Sequence, residues 1–284
     1  MSPTRREFLA TSCMLPWLAS CGKEASSASP STPVAPPAQI LFSQDFNATP
    51  LGVYGPEALA AGWMGATPGT GVRQGRTSVI DGADAHEGRS LRVLYPKGGV
   101  SSSPSGAQWK MGLGRYDELY CSYSVRFAPD FDFVRGGKLP GLVGGAANTG
   151  GNKPDGTDGW SARMMWRAGG KVVHYVYHVD QPTTFGEDFD WDIGGQRTFR
   201  PGTRHRVEHR VVINTPGQRD GIVQGWFDGM LALDRRNVRF RNVAAFAIDA
   251  FYFSTFFGGS DPSWAPLKDE HVTFDQFVVS TAPA

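Results

Sequence analysis

The chain has 284 residues, of which 40% are hydrophobic and 19% charged, and its formal net charge is +1. So balanced a charge excludes a protein that binds nucleic acid through bulk electrostatic attraction. Of the three cysteines, Cys13 and Cys21 lie in an N-terminal segment with its own composition, which leaves Cys121 alone and excludes a disulfide framework. Cys121 lies in the alternating run "LYCSYSVRF", which predicts a small buried apolar side chain.

Residues 1–21 predict an export signal with a lipid-attachment site. Arg5 and Arg6 precede an apolar run that is too short to cross a bilayer as a stable helix. "TRREFL" resembles a twin-arginine signal, although general export also tolerates paired arginines. "LASC" resembles a bacterial lipobox that ends at Cys21, and an ordinary secretory signal with a chance cysteine is the alternative. We therefore expect an exported bacterial lipoprotein on the periplasmic or cell-surface side of a membrane, which it contacts only through the lipid on Cys21.

Residues 22–39 are rich in serine, alanine and proline, a composition that cannot bury a core and that predicts a flexible tether. The remaining segment, residues 40–284, has the length of one large all-β domain. A single short run, "GPEALAAGW", favours a turn of helix.

Strand patterns dominate from residue 40 onward. Short segments rich in aromatic and β-branched residues follow one another between turns of Gly, Pro, Asn or Asp. They predict an all-β jelly-roll sandwich of two antiparallel sheets with a concave substrate cleft. In chain order these segments are "ILFSQDF", "SLRVLYP", "LYCSYSVRF", "WSARMMWR", "KVVHYVYHV", "HRVEHRVVIN", "IVQGWFDG", "AFYFSTFFG" and "VTFDQFVVS".

Two of these strands carry polar residues on one face. Alternation places Ser161 with Arg163 on one strand, and Tyr175 with Tyr177 on the next. Each pair alone is ordinary, since two tyrosines are commonly a cross-strand aromatic patch. The connection "AGGK" has the length of a hairpin turn, however, so the strands are predicted to be neighbours. The two pairs then form one surface.

Such a surface suits elimination in a uronic acid polymer. The C5 proton is too weakly acidic until a cation neutralises the adjacent carboxylate, and Arg163 and Lys138 are the candidates. A base must remove that proton and an acid must protonate the O4 leaving group. Tyrosine has an ordinary pKa of about 10 that nearby cations lower. In glucuronate and mannuronate H5 and O4 lie on the same ring face, so one tyrosine can do both.

Lys138 lies in "FVRGGKLPGLVGG", whose glycines and proline predict a loop. We interpret this loop as a segment whose backbone positions the Lys138 cation beside a uronate carboxylate. Whether Lys138 contacts the reacting sugar or a neighbouring one stays open at this point.

The segments "YSVRFAPDFDFVRGGKLPGLVGG", "GWSARMMWR", "HYVYHVDQP" and "YFSTFFGGSDPSWAPLKDEHVTFDQFVVS" closely resemble polysaccharide lyase family fourteen. That family contains alginate and polyglucuronate lyases with a β-jelly-roll fold, and the glucuronan lyases of family twenty are similar. The resemblance extends from about Phe42 to Ser280. It implies that the residues of the reaction are Lys138, Ser161, Arg163, Tyr175 and Tyr177.

The resemblance leaves open which tyrosine is the base and acid. Ser161 is expected to position Arg163 or a substrate oxygen. The segment "YPKGGVSSSPSGAQW" also looks like a family element, and it implies that Gln108 and Trp109 reach the cleft.

Further candidates come from neighbouring strands. His178 is a substrate-binding candidate, although alternation places it opposite the tyrosines, where a structural role is the alternative. In "HRVEHRVVIN" three arginines share a face with Glu208, and we interpret this face as part of the cleft rather than as a solvated surface. Arg210 is the substrate-binding candidate on that face.

No cofactor is expected. The acidic segment "FGEDFDWDIGG" is a weak candidate for calcium, but its spacing matches no standard calcium loop, and a solvated loop is favoured. His and Cys show no zinc spacing.

Two other classes compete with a lyase. A glycoside hydrolase needs two carboxylates that flank the scissile bond, and no strand carries such a pair. A tethered carbohydrate-binding module needs no cation and tyrosine constellation. We expect a monomeric lyase that acts on an anionic polysaccharide. The identity of the uronate and the choice between endo and exo action stay open.

Overall fold

A computed structural model of the chain describes residues 38–283. The predicted export signal with Cys21, and nearly all of the predicted tether, lie outside the described residues. The described part is an antiparallel β-sandwich with one α-helix, α1 (Pro56–Gly62), at the predicted position. None of the helices in residues 38–283 is long and apolar enough to cross a membrane.

Within residues 38–283, sixteen strands form the two sheets. They are β1 (Ile40–Gln44), β2 (Gly52–Val53), β3 (Thr67–Pro68), β4 (Thr77–Ile80), β5 (Ser90–Tyr95), β6 (Ala107–Tyr116), β7 (Glu118–Phe127), β8 (Gly136–Gly145), β9 (Gly159–Arg167), β10 (Val172–Tyr177), β11 (Glu187–Asp190), β12 (Arg204–Val212), β13 (Gly221–Phe227), β14 (Met230–Val238), β15 (Ile248–Phe257) and β16 (Glu270–Ser280).

The larger sheet has nine strands in the order β14-β13-β12-β7-β16-β5-β4-β2, with β1 also paired to β16. The smaller sheet has seven strands in the order β11-β10-β9-β8-β15-β6-β3. Neighbouring strands in both sheets often lie far apart in the sequence, as in the pairing of β15 with both β6 and β8. The predicted jelly-roll sandwich of two antiparallel sheets is therefore confirmed.

The core lies between the sheets and is built from the inward faces of alternating strands. It is rich in aromatic rings. Trp63, for example, stacks on Phe251 with the ring centroids 5.8 Å apart. Cys121 is a free thiol and 1% exposed, which confirms the prediction that it is a buried apolar residue.

One predicted loop is a strand. The segment around Lys138 forms β8, in the middle of the seven-stranded sheet. The register against β9 shifts between Lys138 and Gly141, so β8 carries one extra residue there, a β-bulge at Leu139 and Pro140. Pro140 has no N–H to give to a ladder, which suits a bulge.

The glycines of β8 serve close packing as well as turns. A Cβ on Gly137 would lie 2.1 Å from the Trp166 ring, and one on Gly141 would lie 2.3 Å from the carbonyl oxygen of Ala162. A loop was predicted because glycine and proline are the usual residues of turns, whereas here they admit neighbouring groups against a buried strand.

Candidate active site

A cleft of about 720 Å³ lies on the outer face of the seven-stranded sheet. Its floor consists of side chains from β6, β8, β9, β10 and β15 that point away from the core. Cations, tyrosines and neutral groups line it, and none of the carboxylates in the described part of the chain does. The lining residues are Ser101, Ser102, Gln108, Lys138, Thr149, Gly150, Arg163, Met165, Arg167, Tyr175, Tyr177, Phe185, Gly186, Tyr252, Phe256, Gly259, Ser260 and Trp264.

The hairpin of β9 and β10 places the tyrosines beside the serine and the arginine, as predicted. Tyr175 is the register partner of Arg163, and Tyr177 is the partner of Ser161. The Tyr175 and Tyr177 rings pack edge to face with centroids 5.6 Å apart. Burial and the neighbouring Tyr177 raise the pKa of Tyr175, so its phenol stays protonated at neutral pH. The hydroxyl of Tyr177 accepts a hydrogen bond from the backbone N–H of Gly151 at 3.1 Å.

Arg163 is a buried cation that lacks an anionic partner. Its side chain is among the largest that are fully buried, at 2% exposure, and no carboxylate in residues 38–283 forms an ion pair with it. Nη1 donates to Oγ of Ser254 at 2.9 Å, and the guanidinium lies 5.3 Å from the centre of the Tyr252 ring. Nε is buried without a partner in the described structure, and burial lowers the pKa of Arg163. Because an unpaired buried charge is costly, this site favours an anionic ligand.

Lys138 lies over the ring of Tyr175. Its Nζ is 3.5 Å from the centre of the Tyr175 ring and contacts Sδ of Met165. Burial, followed by the positive charges of Arg163 and Arg167, holds the pKa of Lys138 well below its usual range. The bulge in β8 is what brings Lys138 to this face while Gly141 leaves room beside Arg163.

Arg167 differs from Arg163 because it has an acidic partner. Its guanidinium donates to both carboxylate oxygens of Asp188, with distances of 2.8 and 2.6 Å. It also lies 5.3 Å from the centre of the Tyr175 ring. This pair fixes Arg167 at the edge of the cleft, and the charges of Arg167 and Asp188 act on the pKa of Tyr175 in opposite directions.

Two further predicted residues have defined surroundings. The hydroxyl of Ser161 is buried and donates to the carbonyl oxygen of Asn148 at 2.7 Å, so it holds the loop after β8 rather than Arg163. Gln108 lines the cleft as predicted, where its Oε1 accepts from the Tyr252 hydroxyl at 2.6 Å.

Trp109 does not reach the cleft. It is 2% exposed and stacks on Phe253 in the core, with ring centroids 3.8 Å apart. The prediction was wrong because Trp109 follows Gln108 on β6, and successive side chains of a strand point to opposite faces.

His178 does not line the cleft either. Its Nε2 lies 2.9 Å from Oε2 of Glu187, and its backbone N–H donates to Oε1 of Gln181. The substrate-binding prediction is therefore wrong, and the structural alternative fits these contacts.

Arg210 lies on β12 of the nine-stranded sheet, whereas the cleft lies on the seven-stranded sheet. On the outer face of β12 it donates to Glu118 at 2.7 Å and to Gln224 at 2.7 Å. Its neighbours on that face also have partners, since Arg204 donates to the carbonyl oxygens of Ala85 and His86. The interpretation of this face as part of the cleft was wrong, because alternation identifies a face but not which sheet carries the site.

The acidic segment after β10 forms ion pairs. Asp188 binds Arg167, Asp190 binds Lys171 at 2.8 Å, and Glu187 is near His178. Within residues 38–283 no group of three or more His, Cys, Asp or Glu side chains is placed to hold a metal ion.

Sequence reasoning missed the residues that β15 contributes. Tyr252 and Phe256 line the cleft and Ser254 holds Arg163. Alternation in "AFYFSTFFG" already separates these three from the core residues Phe251 and Phe253. Their place beside β8 depends on a pairing between strands more than a hundred residues apart, which no local pattern reports.

The fold and the cleft together define the class of the protein, a polysaccharide lyase. Residues 83–277 match the sequence model of the family Polysaccharide lyase 14. Because that match spans more than half of the chain, the protein belongs to this family.

Solved structures agree with the family assignment. Alginate lyase Aly36B is 29% identical, with 87% of this chain and 97% of that chain covered and a TM-score of 0.73. The marine PL-14 alginate lyase from Aplysia kurodai is 26% identical over 86% of this chain and 100% of that chain, with a TM-score of 0.73. The endo-β-1,4-glucuronan lyase from the fungus Trichoderma reesei is 15% identical over 86% and 96%, with a TM-score of 0.54, and shares the fold. Among curated proteins none matches the chain.

Proposed function

We propose that the protein cleaves an alginate-type polyuronate by β-elimination and leaves a C4=C5 double bond at the new non-reducing end. The observation that carries this proposal is Arg163, a buried guanidinium whose Nε is free and which has no carboxylate partner within residues 38–283. It lies in a cleft that also holds a lysine and two tyrosines. A uronate carboxylate supplies the missing anion.

The chemistry follows from that contact. When Arg163 binds the C5 carboxylate, it stabilises the negative charge that builds up as the C5 proton leaves. The C5 electrons form the C4=C5 bond, the bond from C4 to O4 breaks, and the leaving oxygen takes a proton from an acid. In mannuronate and glucuronate H5 and O4 lie on the same face of the ring. The base that takes the C5 proton and the acid that protonates O4 must therefore lie on that side of the sugar.

The pKa directions favour a division of the two proton transfers. Lys138 has a lowered pKa and so can hold a neutral amine that accepts the C5 proton. Tyr175 has a raised pKa and so keeps a proton that it can give to O4. The two groups are neighbours, with Nζ 3.5 Å from the ring centre. The sequence assigned both transfers to one tyrosine and used Lys138 as a neutralising cation, and the raised tyrosine pKa is the reason to prefer the division.

The variant Lys138→Arg separates these roles. Arginine keeps the positive charge but stays protonated at any accessible pH. If Lys138 is the base, we expect the ultraviolet absorbance of the unsaturated product to disappear, with a fall in kcat of about 10²-fold or more. If Lys138 only neutralises charge, Lys138→Arg keeps most of the activity, and this result would return the base to a tyrosine.

Among residues 38–283 no carboxylate lines the cleft, and this favours a lyase over a glycoside hydrolase. A hydrolase needs two carboxyl groups about 5–9.5 Å apart across the bond. Asp188, the nearest acid in the strand register, is held by Arg167 outside the lining. A carbohydrate-binding module would bind the polymer without producing the conjugated double bond, so the same ultraviolet assay distinguishes it.

We propose a mannuronate-containing polymer as substrate. The similar alginate lyase Aly36B, at 29% identity, has been solved with an alginate tetrasaccharide, whereas the glucuronan lyase is similar in fold at 15%. Parallel assays with polymannuronate, polyguluronate and glucuronan test this choice. A higher kcat/KM on glucuronan than on polymannuronate would contradict it.

We also propose that the protein is exported and anchored through an acylated Cys21, with residues 22–39 as the tether, and that it acts as a monomer. Support comes from the sequence of residues 1–39 alone. Metabolic labelling with a fatty acid tests the anchor. Cys21→Ser should abolish the label and release active protein from the membrane fraction, and an unlabelled parent protein would refute the anchor.

A further inference from the structure

Phe185 is a large apolar side chain at the rim of the cleft, and 55% of its surface is exposed. It lies in the loop between β10 and β11. A single exposed apolar side chain needs no special explanation on most surfaces. Here the side chain lines the same cavity as the two tyrosines, so its exposure matters for whatever binds there.

A buried glutamine, Gln181, hydrogen-bonds to the backbone of the loop that carries Phe185. Gln181 is 1% exposed, and its Nε2 donates to the carbonyl oxygens of Thr183, Thr184 and Phe185 at 3.0, 3.2 and 3.1 Å. Its Oε1 accepts from the backbone N–H of His178 at 3.0 Å. The backbone of this loop, including that of Phe185, is therefore fixed to the end of β10.

Phe185 also lies near Tyr177, the tyrosine that packs against Tyr175. A Cβ on Gly151 would lie 3.4 Å from Cε1 of Phe185, and the N–H of this same glycine binds the Tyr177 hydroxyl. On the other side, a Cβ on Gly186 would lie 2.9 Å from the Tyr177 ring. The backbone of Gly151 is therefore next to both the Phe185 ring and the Tyr177 hydroxyl.

The rim around Phe185 differs in charge from the floor. Its lining neighbours are Thr149, Gly150 and Gly186, which are uncharged, whereas the cations of the cleft lie on β8 and β9. A pyranose ring has polar edges and C–H faces, and an aromatic ring excludes water from such an apolar face.

We propose that Phe185 is a stacking platform for the sugar next to the one that loses its C5 proton, and that Gln181 is the positioning residue for this platform. This inference rests on the proposed polyuronate lyase activity and adds a subsite to it. Stacking acts on the bound chain rather than on the developing charge, so it contributes to substrate binding more than to the chemical step.

The test compares Phe185→Ala with Phe185→Trp on polymannuronate. We expect Phe185→Ala to raise KM by about tenfold, the equivalent of one aromatic contact, with kcat within about twofold. Phe185→Trp should restore KM. Met230→Ala is the matched control, since Met230 is 57% exposed and lies at the turn of β13 and β14, away from the cleft.

Two results would overturn the platform. One is an unchanged KM in Phe185→Ala while the parent protein is active. The other is calorimetric binding of polymannuronate that is equally tight for an inactive Lys138→Arg protein and for the same protein with Phe185→Ala. A parent protein that neither binds nor cleaves any polyuronate would instead refute the proposed function itself, and with it the subsite.

A double substitution tests Gln181. If Gln181 acts by holding Phe185, Gln181→Ala should raise KM without lowering kcat, and adding it to Phe185→Ala should change little further. Additive losses, or a fall in thermal stability that accounts for the loss of activity, would contradict the positioning role.

Discussion

The outer faces of the two sheets carry arginines in different electrostatic states. On the nine-stranded sheet Arg210 binds Glu118, and Arg204 binds backbone carbonyls. On the seven-stranded sheet Arg163 is more deeply buried and has no acidic partner in residues 38–283. Both faces look basic in the sequence. The comparison teaches that the partners of a cation, rather than the number of cations, indicate where an anionic substrate binds.

The largest expected effect lies at the tyrosine pair. We expect at least one of Tyr175→Phe and Tyr177→Phe to lower kcat by about 10³-fold, since each removes only a phenolic proton donor or acceptor. The measurement is the initial rate of ultraviolet absorbance on polymannuronate, with circular dichroism to verify the fold. Tyr120→Phe is the control on the nine-stranded sheet, where the ring centroid lies 6.4 Å from that of Trp226. Full activity in both cleft variants would contradict the site.

The arginine comparison gives the next effect. Arg163→Ala should lower kcat/KM by about 10²- to 10³-fold, because it removes the group that stabilises the charge on the substrate carboxylate. Arg210→Ala removes a partly exposed ion pair and should leave kcat/KM within about twofold. A similar loss of kcat/KM in Arg163→Ala and Arg210→Ala would contradict the conclusion that only the seven-stranded sheet binds the substrate.

An arginine on each outer face donates to a serine, Arg163 to Ser254 and Arg206 to Ser122, and these contacts sharpen the comparison. Ser254→Ala removes the hydroxyl that fixes Arg163, and we expect kcat/KM to fall about tenfold, as for one hydrogen bond to a charged group. Ser122→Ala removes the equivalent contact of Arg206 at 2.8 Å on the other face. Its activity should match that of the parent. An intact rate for Ser254→Ala would show that Arg163 needs no such support.

The smallest expected effect on activity comes from two buried histidines in the core between the sheets, His174 and His209. Burial lowers the pKa of His174 to about 3, and burial with the charge of His174 holds the pKa of His209 well below its usual range. The unfolded chain binds these protons below about pH 6.5, whereas the folded protein does not. The effect of these histidines on the free energy of unfolding should therefore be constant above pH 6.5. Below that pH the free energy of unfolding should decrease as the pH drops towards 3.

The His174→Phe variant tests this acid dependence. Thermal unfolding at a series of pH values should show a shallower loss of Tm below pH 6.5 than in the parent, with unchanged activity at pH 8 for folded protein. Asp275, whose pKa burial raises to about 6, acts in the opposite sense and sets a background common to both proteins. An equally steep loss in both would contradict the assignment to His174.

Local patterns predicted much of this molecule. Alternation and a hairpin-length turn were enough to place Arg163 beside Tyr175, because those strands are consecutive. The same rule failed for Arg210, since the face of a strand does not tell which sheet the strand joins. Lys138 was assigned to a loop because glycine and proline are ambiguous between a turn and a bulged strand. Ser254 was missed because its place depends on a distant strand pairing.

The bulge in β8 also decides on which side of the sheet the charge of Lys138 lies. Lys138 and Gly141 are three residues apart, and residues three apart in a regular strand point to opposite faces. With Gly141 held beside Arg163, a regular strand of the same sequence would therefore direct the amine of Lys138 into the core of the sandwich. The one additional residue at Leu139 and Pro140 keeps both positions on the cleft face. An irregularity in the hydrogen-bond ladder thus keeps a charged group out of the core.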